Sequence, residues 1–124
     1  MHELSLAQAL VEQVEAIRVR EKAEAVLNVT VNIGALSGVN RESFEFAFPL
    51  AVEGTALAEA RLCVEETPLS VTCSDCGRES KPEVTDPHCS GCGSVRTRIT
   101  AGREFLIQSV ELRYPDPGDE RDGR

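Results

Sequence analysis

The chain has 124 residues, 41% of them hydrophobic, and a formal net charge of -8 from 13 basic and 21 acidic side chains. That length suits one domain carrying a small appendage rather than two full cores, and the apolar share argues against disorder throughout. The charge has the wrong sign for attraction to phosphate backbones or an anionic membrane face. Met1-His2-Glu3 offers no basic n-region and no apolar run nears the ~18 residues of a span, so a cytoplasmic protein without nucleic-acid or membrane partners is expected.

From Leu4 to Ala23 the residues Leu6, Ala7, Leu10, Val11, Val14 and Ile17 recur at three- and four-residue steps without Gly or Pro, the pattern of an amphipathic helix. Its start lies either at a capping box of Ser5 and Gln8 or nearer Glu3. Between Val26 and Ile33 the period drops to two, setting Leu27, Val29, Val31 and Ile33 against Asn28, Thr30 and Asn32, as in a half-buried strand. Gly34-Ala35-Leu36-Ser37-Gly38 reads as a loop. Asn40 then occupies an N-cap position before a second helical pattern of Phe44, Ala47, Phe48 and Ala51, in which Pro49 predicts a kink or an early end and Gly54 a C-cap. Alternation returns at Arg61 to Glu66, with Leu62 and Val64 inward and Cys63 a small half-buried filler, and at Glu104 to Arg113, where Phe105, Ile107 and Ser109 oppose Leu106, Val110 and Leu112.

Four of the five cysteines form two pairs, Cys73-x-x-Cys76 and Cys89-x-x-Cys92, with 12 residues between them. An odd cysteine count without a signal sequence argues against a disulfide framework. Two C-x-x-C turns facing one another can close a tetrahedral thiolate site, for which zinc is the default metal and iron the alternative. Gly77 and Gly93 follow the second cysteine of each pair, where a positive φ lets backbone N–H groups turn toward the sulfurs. From Cys73 to Arg98, Arg78, Lys81, Arg96 and Arg98 balance Asp75, Glu79, Glu83 and Asp86, which disfavours a nucleic-acid-binding ribbon. His88 abuts Cys89 and is read as a loop histidine, with a role beside the cage or as an alternative ligand as the other readings. Since residues 69–102 lie between two strands of the body, the expected fold is α/β: a small three-stranded sheet with two helices, plus an inserted four-cysteine zinc-ribbon-like module. A tail over 115–124 has almost nothing to bury and is expected to be disordered and acidic.

His2 has particular chemistry at its position. An α-amino group, the following amide nitrogen and an imidazole on residue two form fused chelate rings suited to Ni(II) or Cu(II), although such a histidine is often simply solvated.

Met1-His2-Glu3-Leu4-Ser5-Leu6 opening a helix, Ile33-Gly34-Ala35-Leu36-Ser37-Gly38 after a strand, and two C-x-x-C pairs in one inserted module together strongly resemble the HypA/HybF family of nickel metallochaperones. The resemblance runs from Met1 to about Arg113. It implies a nickel-binding α/β domain over 1–68 and 103–114 and an inserted zinc-binding domain over 69–102. Nickel as transient cargo would be held by Met1, His2 and Glu3, and structural zinc by Cys73, Cys76, Cys89 and Cys92. Some members place an acidic ligand where this chain has Asn40, a weaker donor whose N-cap role already accounts for it. The implied function is delivery of nickel for [NiFe]-hydrogenase maturation, with no enzyme chemistry. The implied partners are the nickel-handling GTPase HypB, the hydrogenase large-subunit precursor and, in some organisms, urease maturation proteins. The rival readings are a zinc-ribbon interaction module without nickel and a thiol oxidoreductase.

Overall fold

The computed structural model describes residues 2–116. In chain order the elements are α1 (His2–Arg20), β1 (Ala25–Gly34), α2 (Arg41–Val52), β2 (Arg61–Thr67), β3 (Ser70–Cys73), β4 (Glu79–Ser80), β5 (Thr97–Ala101) and β6 (Phe105–Arg113). One three-stranded sheet has the order β2-β1-β6 and a second the order β4-β3-β5. The expected α/β body and inserted module are therefore present, and the module carries a small sheet of its own. The tail expected to be disordered lies, over 117–124, outside the described residues, as does Met1.

By internal contacts the chain divides into two compact units. The first comprises Met1–Val31, Asn40–Cys63 and Ile107–Arg124, and the second Asn32–Val39 and Val64–Leu106. In the first unit α1 and α2 pack on one another. Ala7, Leu10, Val11 and Val14 of α1, Phe44, Ala47, Phe48 and Val52 of α2, and Val26, Val29 and Val31 of β1 are buried, together with Leu57. These spacings of three and four along the helices are the stripe the sequence predicts.

Helix α1 begins at His2, the second of the two predicted starts, with Glu3 in its first turn and Arg18 and Arg20 in its last, complementing the helix dipole. It ends earlier than Ala23. Lys22 takes the left-handed conformation (φ 58°), the Ala23 amide donates to the Arg18 carbonyl at 3.0 Å, and the Lys22 amide donates to that of Val19 at 3.1 Å. This is a Schellman stop built on lysine where glycine is usual, with Ala23 buried just beyond it.

Helix α2 is capped as expected, the Asn40 Oδ1 accepting from the Ser43 amide at 2.8 Å. It runs past the exposed Pro49 to Val52, and Gly54 supplies the left-handed residue (φ 77°) just beyond its end.

The strands depart from the predicted alternation in two places. In β1 the buried residue near the start is Val26, and Leu27 is exposed, so the phase breaks before Val29, Val31 and Ile33 resume it. In β6 the half-buried residues are Phe105, Ile107, Val110 and Leu112, while Leu106 is exposed. The inward face thus switches across the consecutive exposed pair Gln108 and Ser109. A break of one residue moves every later side chain to the other face. Leu62 and Val64 are half-buried and Cys63 is exposed rather than a filler, its thiol 3.3 Å from the Asn28 Oδ1.

In the second unit β3 pairs antiparallel with both β4 and β5, with Val71 opposite Ser80 on one side and Ile99 on the other. Leu69, Ser70, Val71, Cys73 and Cys89 are buried, a small core for a segment this long. The segment after β1 is tied down by backbone bonds: Gly34 N–H to the Glu104 carbonyl (2.7 Å), Ala35 N–H to Thr67 (2.9 Å) and Leu36 N–H to Gly102 (2.6 Å). Gly34 is glycine because of space. A Cβ there would lie 2.2 Å from the Gly102 carbonyl oxygen.

Candidate metal centres

The four paired cysteines converge. Their sulfur atoms all lie within 4.8 Å of one another, with Cys73 Sγ 3.6 Å from Cys92 and Cys76 Sγ 3.6 Å from Cys89. Two turns of the same design produce this. In the first, the Cys73 amide donates to the Arg78 carbonyl (2.9 Å) and the Gly77 amide to the Cys73 carbonyl (2.9 Å); in the second, the Cys89 amide donates to Ser94 (2.8 Å) and the Gly93 amide to Cys89 (2.8 Å). Gly77 and Gly93 both have positive φ, 76° and 78°, as their positions predict.

In each turn the leading sulfur accepts two backbone N–H bonds. Cys73 Sγ receives Asp75 (3.3 Å) and Cys76 (3.4 Å), and Cys89 Sγ receives Gly91 (3.3 Å) and Cys92 (3.4 Å). Donors aimed at sulfur favour the thiolate. The amides of Cys92 and Gly91 accordingly bring the Cys89 thiol down to about 6, and those of Cys76 and Asp75 lower that of Cys73. The trailing cysteines differ. Although the Ser94 amide favours its thiolate, Cys92 is pushed up to about 12 by its hydrogen bond to Cys73, by desolvation and by the other two thiols. Cys76 is raised in the same way against the pull of the Arg78 amide.

Four thiolates this close repel one another, and a dication among them removes the conflict. At ~2.3 Å from a tetrahedral zinc, sulfurs stand ~3.8 Å apart, close to the spacings seen. The arrangement is a poor dithiol switch. The two sulfur contacts of 3.6 Å each join one C-x-x-C to the other rather than closing within a pair.

His88 is not a fifth member. Its Nδ1 lies 2.9 Å from Asp86 Oδ1, and that carboxylate raises the imidazole above its usual range.

A second group of donors lies in the first unit, at the start of α1. His2 has a side chain 62% exposed, its Nδ1 3.6 Å from Glu3 Oε2. The Glu3 side chain is only 15% exposed, and its Oε2 accepts from the backbone amide of Asn40 at 3.1 Å, which holds the carboxyl below its usual range. This bond between the first turn of α1 and the cap of α2 is a feature that sequence reading missed, because a main-chain donor leaves no trace in residue identity. Asn40 itself spends its side chain on capping. The first backbone N–H groups of a helix have no carbonyl acceptor within it, so imidazole, carboxylate and amide nitrogens are gathered in one turn.

Residues 1–112 match the profile of the family described as hydrogenase/urease nickel incorporation, metallochaperone, hypA. The chain is 40% identical over 112 residues to hydrogenase maturation factor HypA of Aquifex aeolicus, covering 90% of this chain and 97% of that protein. It is 42% identical over 112 residues to that of Nitrosospira multiformis, with the same coverage. Among solved structures it resembles the solution structure of the Ni metallochaperone HypA from Helicobacter pylori, with TM-score 0.64 and 26% identity over 91% of this chain and 98% of that one. A second HypA solution structure gives TM-score 0.70 and 27% identity, over 93% and 98%.

Proposed function

This chain belongs to the HypA family of nickel-incorporation metallochaperones, which are maturation factors and not enzymes, and on that premise we propose that it binds Ni(II) at its N-terminal turn and delivers it for [NiFe]-hydrogenase maturation. One observation carries the nickel assignment: an exposed imidazole at His2 stands beside a carboxylate at Glu3 that is already anchored by the Asn40 amide. Ni(II) favours planar nitrogen donors and can displace an amide proton. The Met1 amine and the amides of the first turn complete the proposed set with His2 and Glu3. A carrier must also release its cargo. Few side-chain ligands at an exposed turn suit release better than a closed cage of thiolates.

The Cys73, Cys76, Cys89 and Cys92 cage is assigned to structural Zn(II), since four hydrogen-bonded thiolates leave no open coordination position. In this reading 69–102 is an inserted zinc domain and 1–68 with 103–114 the nickel domain. The partners are the nickel-handling GTPase HypB and the hydrogenase large-subunit precursor, with urease maturation proteins as a further recipient, all in the cytoplasm. No described helix is long and apolar enough to cross a membrane.

The test is nickel titration by calorimetry on the native chain, an N-terminally extended form and His2→Ala. Extension weakens binding, His2→Ala nearly abolishes it, and zinc content is unchanged in both. Equal nickel affinity across the three forms refutes the assignment.

A further inference from the structure

The apolar side chains that α2 leaves in water lie together. Phe46 is 79% exposed and Leu50, one turn further on, 60% exposed, with the exposed Pro49 beside them. The chain has only 4 Phe and 1 Tyr, so a ring left in solvent forgoes one of the larger burial gains open to it. Around Phe46 and Leu50 runs a groove of about 430 Å³ lined also by Glu3, Leu4, Glu42 and Ala47. A ring this exposed is a projecting ridge and not the wall of an enclosed pocket. A small molecule would leave most of it wet, whereas a protein surface would cover it.

Charge selects the kind of protein. The two ionisable residues lining the groove, Glu3 and Glu42, are both carboxylates, and Arg41 alongside is engaged with Glu45 at 3.3 Å. A second copy of a chain with net charge -8 would be repelled and would set carboxylate against carboxylate.

We propose that this groove is the docking surface for a protein partner presenting an apolar helical face flanked by lysine or arginine. The apolar side chains cover Phe46 and Leu50 while a cation faces Glu42. Glu3 belongs both to the groove and to the terminal turn, so a docked partner stands next to His2. That last consequence, that docking and nickel transfer share one face, rests on the nickel assignment above; the docking surface does not.

The probe is a synthetic amphipathic peptide of about four helical turns, leucine on one face and lysine at its flanks, with a twin carrying glutamate in place of lysine. It is titrated into the isotopically labelled, metal-loaded full chain and followed by amide chemical shifts. The lysine peptide shifts amides at Glu3, Leu4, Glu42, Phe46, Ala47, Phe48 and Leu50. Phe46→Ser weakens it about tenfold or more, and Glu42→Lys weakens it while favouring the glutamate twin. Phe46 is exposed, so the variant keeps its fold, which circular dichroism checks. Failure of the lysine peptide to bind, affinity indifferent to Phe46→Ser, or shifts spread over the acidic surface overturns the proposal. So does sedimentation showing a dimer that Phe46→Ser dissolves, since the groove would then belong to a second copy. Nickel titration of Phe46→Ser keeps the two readings apart. Unchanged nickel affinity with lost peptide binding is the expected result, and a wild type that binds peptide but not nickel would sink the nickel assignment alone.

Discussion

Replacing Gly34 by alanine asks whether close backbone approach or mere loop flexibility placed a glycine there. The new Cβ would stand 2.2 Å from the Gly102 oxygen, 2.4 Å from its carbonyl carbon and 2.7 Å from the Glu104 nitrogen, all backbone atoms that cannot rotate away. Ordinary contact begins at 3.4 Å, so the segments must part. Parting carries the Leu36–Gly102 bond (2.6 Å) and the Gly34–Glu104 bond (2.7 Å) past hydrogen-bonding reach. Each buried group left unpaired costs ~1–3 kcal/mol, while alanine recovers ~0.4–1 kcal/mol by restricting the unfolded chain. The net loss is about 1–5 kcal/mol, located in the second unit. Hydrogen exchange of the metal-loaded protein reads it directly, with protection at Leu36 and at the substituted residue 34 falling roughly fivefold or more. Gly38→Ala is the comparator. Its φ is 82° but nothing lies within 4 Å of the added Cβ, so it meets only the ~1–2 kcal/mol strain of a left-handed residue. If Gly34→Ala costs no more than Gly38→Ala, the steric reasoning fails.

Three further outcomes follow from the cysteine cage. Cys76→Ser lowers metal content below one ion per chain and loosens the second unit to proteolysis while leaving the helical signal of α1 and α2, because that unit has little apolar core beside the cage; full metal retention with unchanged proteolysis contradicts this. In metal-stripped protein, thiolate absorbance develops in two separated stages, the first near pH 6 from Cys89 and the last only toward pH 12 from Cys92, and a single step near 9 would refute the asymmetry. Because the folded pKa of Cys89 is depressed, the stability it lends is present above the unfolded value and is lost as pH falls through about 6. His88→Ala leaves metal stoichiometry unchanged by elemental analysis, since its imidazole is spent on Asp86.

The parts of the fold that sequence exposed are those whose signal repeats. Helix α1 shows its buried stripe several times over, and the cysteine turns state their geometry twice, down to the glycine after each pair. What sequence concealed depends on single events. Lys22 ends α1 in a left-handed conformation without the glycine that usually announces it. The phase breaks in β1 and β6 each rest on one local irregularity. Strands β3, β4 and β5, with four, two and five residues, are too short for alternation to be read. At the terminal turn the residue types of His2 and Glu3 were informative, but the Asn40 amide that anchors Glu3 belongs to the backbone. Phe46 lies outside the predicted stripe of Phe44, Ala47 and Phe48, and the structure leaves it in solvent.

The duplicated cysteine turns also bear on how fast a cation can be captured. Each sulfur pair is arranged by hydrogen bonds within its own short turn, so each turn could offer two sulfurs to an ion as one bidentate half. With 12 residues between Cys76 and Cys89, bringing the halves together is closure of one short loop, an event of ~10–100 ns whose entropic cost varies only slowly with length. Chain search is therefore not the bottleneck. Capture would then require Cys76 and Cys92, whose thiols are raised, to give up their protons to the ion.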